Sequence, residues 1–451
     1  MDASLNQIAD YAHALQFSDL PPKTVRHCIR CIVDTLGCAL GGMNSEPSRI
    51  ARELALRAGM ANGARVFGTA HRTLPEVATF ANGTMARYLD GNDLFAGGGG
   101  HPSNTLSAIL AAADVCGADG KQIITATALA YEIYFNLYKS TDAFLKGIDH
   151  AYYTAVAGAA GAARIMGLAR VRIRDAVSLA ASANIAVSAV RYGHLSLWKG
   201  CSEANGSRNG MFAALLAAAG MTGPDHPFEG GHSLANLIGK FELQPFARAG
   251  EPYKIDEVAI KCYLVVAHGL PLITVALPLS QQVAFEDIVS VTMHTYKFAR
   301  DVTGSEREKW RPSTREAADH SLPYILAAVL VDRAFSDAAF SEEHLRDPRI
   351  RELIDKIEIR EDPELTRRFP NEMPCRIEIK LKNGEIKVGS ADNPRGHDKN
   401  PMTDAEISVK FRMLAHRVMP SAQAERLLAA AWQLESAANL DAVFDAMRLD
   451  G

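Results

Sequence analysis

Apolar side chains recur every third or fourth residue through most of the first 265 positions, the spacing of one face of an α-helix. Leu5, Ile8, Ala9 and Ala12 open the pattern. The run from Val25 to Asp34 continues it, and Gly41-Gly42 is predicted to end that helix. The same spacing predicts helices over 49–58, 73–88, 105–115, 120–137, 152–166, 173–190, 205–219 and 232–239. Stretches such as 176–190 and 211–219 are Ala-rich and apolar on most faces, which predicts burial. Their small side chains allow helix axes to approach closely.

The pattern changes after about residue 280. Asp287 to His294 is rich in β-branched residues and predicts a strand. Residues 314–333 return to helix, and a charged helix is predicted near 343–355. Cys375 to Leu381 then alternates polar and apolar with period two, and Ile386-Lys387-Val388 follows Asn383-Gly384. Asn-Gly between two such runs predicts a β-hairpin. A Pro/Gly loop from Asn393 to Pro401 leads back to helices over 403–447. The expected fold is therefore mainly α: a large all-helical domain with a smaller inserted α+β lid domain. The expected boundaries are 1–269 for the first helical part, 270–395 for the lid and 396–451 for the helical return. Repeats and low-complexity tracts are absent.

Size agrees with this division, because 451 residues exceed one ordinary core. The 48 basic and 52 acidic side chains leave a formal charge of -4, which argues against a basic nucleic-acid surface. A small positive pocket for an anion remains compatible with that balance. Apolar stretches such as Ala155 to Ala163 are too short to span a bilayer. The N-terminal segment lacks a basic region followed by an apolar one, so no secretory signal is expected. Seven scattered Cys suggest reduced thiols and a cytoplasmic location.

Five segments hold candidate chemistry, each with an ordinary structural alternative. Asp90, Asp93 and His101 lie around a loop of Ala96 and four glycines, before Pro102 and Ser103 open a helix. Asp90 can orient or titrate a catalytic group there, and His101 can act as acid or base. The alternative is a Gly-rich surface loop with capping residues. His150 follows Asp149 before a Gly/Ala-rich helix; it can face a ligand or be a satisfied structural His. Lys199 follows an apolar stretch and can bind a carboxylate or be a solvated loop residue. Lys261 also sits in an apolar setting. Tyr324 precedes an apolar helix and can be core.

The order of these segments resembles the MmgE/PrpD family along nearly the whole chain. The residues carrying the resemblance are Asp34-Thr35-Leu36-Gly37 with Gly41-Gly42, Leu89-Asp90 to His101-Pro102, Asp149-His150, Trp198-Lys199, Lys261, His320-Ser321-Leu322-Pro323-Tyr324, and Asn400-Pro401-Met402 before Lys410-Phe411. The family includes 2-methylcitrate dehydratases and cis-aconitate decarboxylases. The resemblance implies a helical domain with an α+β lid, a homodimer, an active site between the domains, and no metal, iron–sulfur cluster or other cofactor. It implies functional roles for Asp90, His101, Lys199, Lys261, His150 and Tyr324. Two positions depart from the family pattern. Decarboxylases carry a Thr where this chain has Leu94, and the usual Lys-x-Tyr-Pro reads Lys261-Cys262-Tyr263-Leu264.

Negative signals agree. GxGxxG after a strand, Walker A and HExxH are all missing, and the Cys28/Cys31 pair sits in an apolar helix pattern with no third Cys at cluster spacing. The expected reaction is elimination of water from a small polycarboxylate, either 2-methylcitrate or a citrate-like acid. His101 is the expected acid/base with Asp90 orienting it, His150 and Tyr324 are further proton-transfer candidates, and Lys199 and Lys261 clamp the carboxylates. Decarboxylation or epimerisation is the alternative within the family, since each develops charge beside a carboxylate. A non-catalytic scaffold retaining the fold is the alternative outside it, to which Leu94 and the glycines at 97–100 point. Neither nucleic acid nor membrane is an expected partner.

Overall fold

The structure is a computed structural model that describes residues 2–95, 100–192 and 195–449. Gly97, Gly98 and Gly99 of the glycine run lie outside the described residues. The chain is mainly α. The helix Pro22–Gly42 begins on Pro22, whose missing N–H costs nothing in a first turn. It packs against Pro75–Arg87 on one side and Asp404–Ala415 from the end of the chain on another. The most extensive helix contact joins Ala151–Ile165 to Ser202–Ala218. Glycine makes it possible: a Cβ on Gly206 would lie 2.4 Å from the Ala151 carbonyl oxygen, and one on Gly210 2.5 Å from that of Ala155.

Buried apolar side chains fall into two main clusters. One gathers the helices from Leu5 to Phe246, continues to Ile260, and resumes from Met402 to Met447. The other runs from Ala259 to Leu381 and takes in Leu94. The second cluster contains a four-stranded sheet in the order Ile357–Glu361, Ile288–Thr295, Cys375–Leu381, Ile386–Ala391. Ile288–Thr295 pairs parallel with Ile357–Glu361 and antiparallel with Cys375–Leu381. The helices Gly269–Ser280 and Leu322–Asp332 pack against each other and against this sheet. The hairpin forms where Asn383-Gly384 predicts it, with Gly384 at φ +83°, a conformation that glycine adopts without strain. Among the described residues no helix is long and apolar enough to cross a membrane.

Four stretches differ from the sequence reading. The predicted helix over 173–190 is Arg170–Ala183, and the chain then leaves helical geometry at Asn184. The charged helix near 343–355 is two short ones, Glu342–Leu345 and Pro348–Ile354, because Asp347 caps the second and Pro348 cannot continue the first. Residues 221–265 are largely irregular, holding Leu234–Ile238 and a strand Val258–Ala259. Gly230 and Gly239, both at positive φ, interrupt the helical spacing there. The strand Ile357–Glu361 escaped prediction because only two of its residues are apolar.

Candidate active site

Four chain segments meet around one carboxylate. The helix Pro75–Arg87 ends by delivering the buried side chain of Arg87, and Asp90 follows at φ +52°. That left-handed backbone is tolerated by Asp better than by most non-glycine residues, and such strain persists only where the surroundings hold it. Here they do. The Lys261 ammonium donates to the Asp90 carbonyl at 2.8 Å, and Lys410, which also pairs with Asp34 at 2.6 Å, donates to the Gly91 carbonyl. The short strand Leu94–Phe95 then pairs with Val258–Ala259, so the loop carrying Asp90 and the segment carrying Lys261 are stitched together.

The Asp90 carboxylate is 1% exposed and surrounded by cations. Its Oδ1 lies 2.5 Å from Arg87 Nη1, 3.2 Å from Lys261 Nζ and 3.4 Å from His101 Nε2. Its Oδ2 lies 3.8 Å from Lys199 Nζ and 3.7 Å from His320 Nε2. Burial alone would raise its pKa, but Lys261, Arg87 and Lys199 outweigh burial and hold the carboxyl well below the usual range.

His101 precedes the turn Pro102–Thr105 and points Nδ1 at the Asp93 carbonyl, 2.5 Å away. A carbonyl can only accept, so Nδ1 carries the proton and Nε2 offers a lone pair. Asp93 is in turn fixed by the Tyr131 hydroxyl at 2.7 Å and the Ser103 amide at 3.2 Å. Burial, then the charges of Arg87 and Lys261, hold the His101 imidazole well below its ordinary pKa. His320 is held through Nδ1 by Asp319 at 2.5 Å, and Lys199 donates to both Asp319 oxygens at 3.2 Å. Burial and then Lys199 lower the His320 pKa to about 4. His150 stacks on Phe144 with centroids 4.3 Å apart, and among the described residues its buried Nε2 has no partner. Burial lowers its pKa to about 4 and that of His268 to about 3.

These groups line a common cavity of about 110 Å³, between the two core clusters. Asp90, His101, His150, Lys199 and Lys261 all border it, as do Arg87, Arg191, His268 and His320. Tyr324 does not. It is 2% exposed, its hydroxyl donates to the Ala339 carbonyl, and it borders a separate cavity with Trp310 and Arg351. The proton-transfer role expected for Tyr324 is therefore withdrawn. Ser321 explains the difference: its hydroxyl caps the helix Leu322–Asp332 by accepting from the Tyr324 amide. Tyr324 is thus inside the first turn and packs into the core, while His320 lies before the cap and faces the cavity.

The two lysine ammonium groups both approach the Asp90 carboxylate. Lys261 spends its three donors on Asp90 Oδ1, the Asp90 carbonyl and the Val265 carbonyl at 2.9 Å, so its charge reaches the cavity through space. Arg87, Arg191, His268, Asp319 and His320 were missed as site residues. His320 carried a legible signal in its place just before a Ser-Leu-Pro helix start; Arg87 and Arg191 carried none, because their partners are distant. Arg191 pairs with Asp149 at 2.8 Å and Glu203 at 2.7 Å. Arg87 and Glu203 approach to 3.5 Å. The cations Arg87, Arg191, Lys199 and Lys261 are thus matched by the carboxylates Asp90, Asp149, Glu203 and Asp319. Among the described residues, only Asp90, Asp319 and His320 group donor atoms within 4.8 Å as a metal site requires. The ammonium of Lys199 already occupies the space between those carboxylates, a donor set that does not suit a divalent cation.

Burial lowers the Lys261 pKa to about 8, Arg87 and Lys199 adding to the effect against the opposing pull of Asp90. The ammonium is charged below that value and neutral above it. Loss of that charge weakens anion attraction, so kcat/KM is expected to fall about tenfold per pH unit above pH ~8. A profile flat to about pH 9.5 would remove Lys261 from the binding of the free substrate.

Sequence profiles of two domains match the chain: the MmgE/PrpD N-terminal domain over residues 6–243 and the MmgE/PrpD C-terminal domain over 263–436. The chain is 27% identical to a 2-methylcitrate dehydratase of Cupriavidus necator, over 95% of this chain and 93% of that protein. It is 27% identical to a 2-methylcitrate dehydratase-like protein of Aspergillus oryzae, over 89% and 86%. It is 26% identical to an alkylcitrate dehydratase of Talaromyces stipitatus, over 91% and 89%.

Proposed function

The chain belongs to the MmgE/PrpD family, and from that premise we propose that it is a hydro-lyase removing water from a 2-methylcitrate-like polycarboxylate. The observation that carries the reading is the pairing, in a single cavity, of buried positive charge with neutral imidazoles whose free nitrogens face the same space.

The reaction needs a base for a carbon-bound proton beside a carboxylate and an acid for the leaving hydroxyl. His101 is the base, since its Nδ1–H is committed to Asp93 and its Nε2 is open. His320, steadied by Asp319, is the acid, and His150 is the remaining proton carrier on the cavity wall. Lys199, Lys261, Arg87 and Arg191 supply the field that stabilises negative charge as it develops on the substrate. Such fixed charges act strongly where water is excluded. Asp90 holds the cations and the two imidazoles in register. The proposal includes turnover without a metal or cofactor, and extensive chelation is expected to leave kcat unchanged.

Charge balance gives this mechanism its protons. The buried cations and carboxylates offset one another before substrate arrives, and the four cavity histidines are neutral near pH 7. A polycarboxylate adds uncompensated negative charge, which raises the pKa of imidazoles beside it. Binding is therefore expected to take up about one proton per site at pH ~7.5. Calorimetry of tricarballylate binding in two buffers of different ionisation enthalpy reads this directly. Binding with no buffer dependence would mean that the imidazoles stay neutral and that the acid lies elsewhere.

The reaction itself is tested by incubating the protein with 2-methylcitrate, citrate and cis-aconitate, following unsaturated product and carbon dioxide separately. Unsaturated product from 2-methylcitrate is expected. Carbon dioxide from cis-aconitate without dehydration would assign a decarboxylase instead. Leu94 favours the dehydratase: it borders the cavity and offers no hydrogen-bond donor to a substrate oxygen, whereas it suits a methyl group.

A further inference from the structure

Two segments that carry the family resemblance take no part in the cavity. Asp34-Thr35-Leu36-Gly37 lies on the helix Pro22–Gly42, and Lys410-Phe411 on the helix Asp404–Ala415. The spacing of Asp34, Gly37 and Gly41 puts them on one face of the first helix, where Phe411 and Leu414 of the second close upon them. A Cβ on Gly37 would lie 3.1 Å from Phe411 Cδ2, and one on Gly41 2.6 Å from Leu414 Cδ2. This close approach carries Lys410 onto Asp34, with 2.6 Å between Nζ and Oδ1. Both side chains are buried, and neither borders the cavity.

A buried ion pair is weak evidence for stability, since well-packed apolar residues often serve as well. What the Lys410 ammonium does with its remaining donors is more informative. It donates to the Gly91 carbonyl at 2.6 Å, and Lys261 donates to the carbonyl just before, that of Asp90, at 2.8 Å. Two ammonium groups from distant segments thus hold both peptides of Gly91. They do so next to Asp90, whose φ of +52° is a conformation that only its surroundings can maintain. Burial opposes the charge on Lys410, but Asp34 outweighs burial and the net pKa shift is upward, so the donor is an ammonium.

We propose that Lys410 is a positioning residue for the reaction: from outside the cavity its ammonium fixes the backbone at Gly91, and through it the direction of the Asp90 carboxylate. That carboxylate lies 3.2 Å from Lys261, 3.4 Å from His101 and 3.7 Å from His320. Release of the Gly91 carbonyl lets the strained backbone relax, and the carboxylate moves away from these partners. The inference rests on the dehydratase reading for the reaction served. Its signature is the charge state of Lys261. Arg87, Lys199, His101 and His268 face that ammonium from the cavity, and Asp34 and Cys38 from outside it. Asp90 gives the main pull toward the charged form, so its retreat moves the alkaline limb of kcat/KM below pH ~8. Loss of the Lys410 charge by itself acts the other way, because it relieves repulsion between two cations.

The test compares Lys410→Met with the double variant Asp34→Asn/Lys410→Met. The single change leaves the buried Asp34 carboxylate without its cation, and the urea midpoint is expected to drop by about 1 M or more. The double variant removes both charges together, so most of that stability is expected to return while the Gly91 carbonyl still lacks its donor. In this folded double variant kcat for 2-methylcitrate is expected to stay roughly 10–10²-fold below the parent, with KM within about threefold. The net field at Lys261 changes little there, so a downward shift of the alkaline limb by about half a pH unit or more reads the displacement of Asp90. If kcat returns together with stability, or the limb stays in place or rises, the pair is structural and the proposal falls. If the parent protein does not turn over 2-methylcitrate, the dehydratase reading falls by itself. Lys410 is then judged on the pH dependence of tricarballylate binding, where the same downward shift is expected and its absence overturns the positioning role.

Discussion

Replacing His101 by Ala is expected to lower kcat for 2-methylcitrate by roughly 10²–10⁴-fold, the range over which a positioned proton-transfer group acts. The geometry makes His101 hard to substitute. Its ring is aimed by the Asp93 carbonyl, which is itself set by Asp93's bonds to Tyr131 and Ser103. Among the described residues no other imidazole comes so near Asp90, whose Oδ1 lies 3.4 Å from His101 Nε2 and whose Oδ2 lies 3.7 Å from His320 Nε2. The structural consequence is smaller. One carbonyl loses its partner, at a cost of about 1–3 kcal/mol, so the variant should remain folded and bind a tricarboxylate. Steady-state kinetics beside denaturant unfolding separates the two effects. A variant with kcat within about threefold of the parent would remove His101 from the chemistry.

The second large effect is on stability. Asp90→Asn is expected to lower the free energy of unfolding by roughly 3–5 kcal/mol, because it leaves buried cations without their anion. Arg87 and Lys261 both rest on Asp90 Oδ1, and all three side chains are almost fully buried. The amide keeps the shape of the carboxylate but cannot balance two positive charges. Turnover should fall as well, by at least about 10²-fold, since the two imidazoles lose the group between them. Urea unfolding of the variant at pH 7 reads the first effect. A loss below about 0.5 kcal/mol would mean that water, rather than Asp90, neutralises these cations in the folded protein. Read as part of a flexible loop, Asp90 would be expected to tolerate this change without unfolding. Its burial, invisible in the sequence, reverses that expectation.

That reversal marks where the sequence stops being informative about the site. Asp90, His101, His150, Lys199 and Lys261 could be singled out because each is a polar group beside an apolar or glycine-rich stretch, and because their order resembles a family. The structure gathers all five at the cavity. Tyr324 was chosen over His320 from the same five-residue segment, and the choice depended on where the helix begins. The cap on Ser321 decides it: His320 lies before the helix and borders the cavity, whereas Tyr324 is the third helical residue and packs in the core. Arg87 and Arg191 looked like ordinary charges on or near helices. Their importance comes from Asp90, Asp149 and Glu203, which complete a network across several segments.

By itself the sequence determined the elements: helical spacing from Leu5 onward, the strand at Ile288–Thr295, and the Asn383-Gly384 hairpin. These follow from neighbours a few residues apart, whose periodicity and turn chemistry act locally. Tertiary structure alone decided which charges are buried, which are matched and which nitrogens remain free. Lys199 meets Asp319 across 120 residues of chain, and Lys261 meets the Asp90 carbonyl across 171. Electrostatic energy in a dry interior depends on distance and burial, and neither is written in the local pattern that makes a helix or a strand.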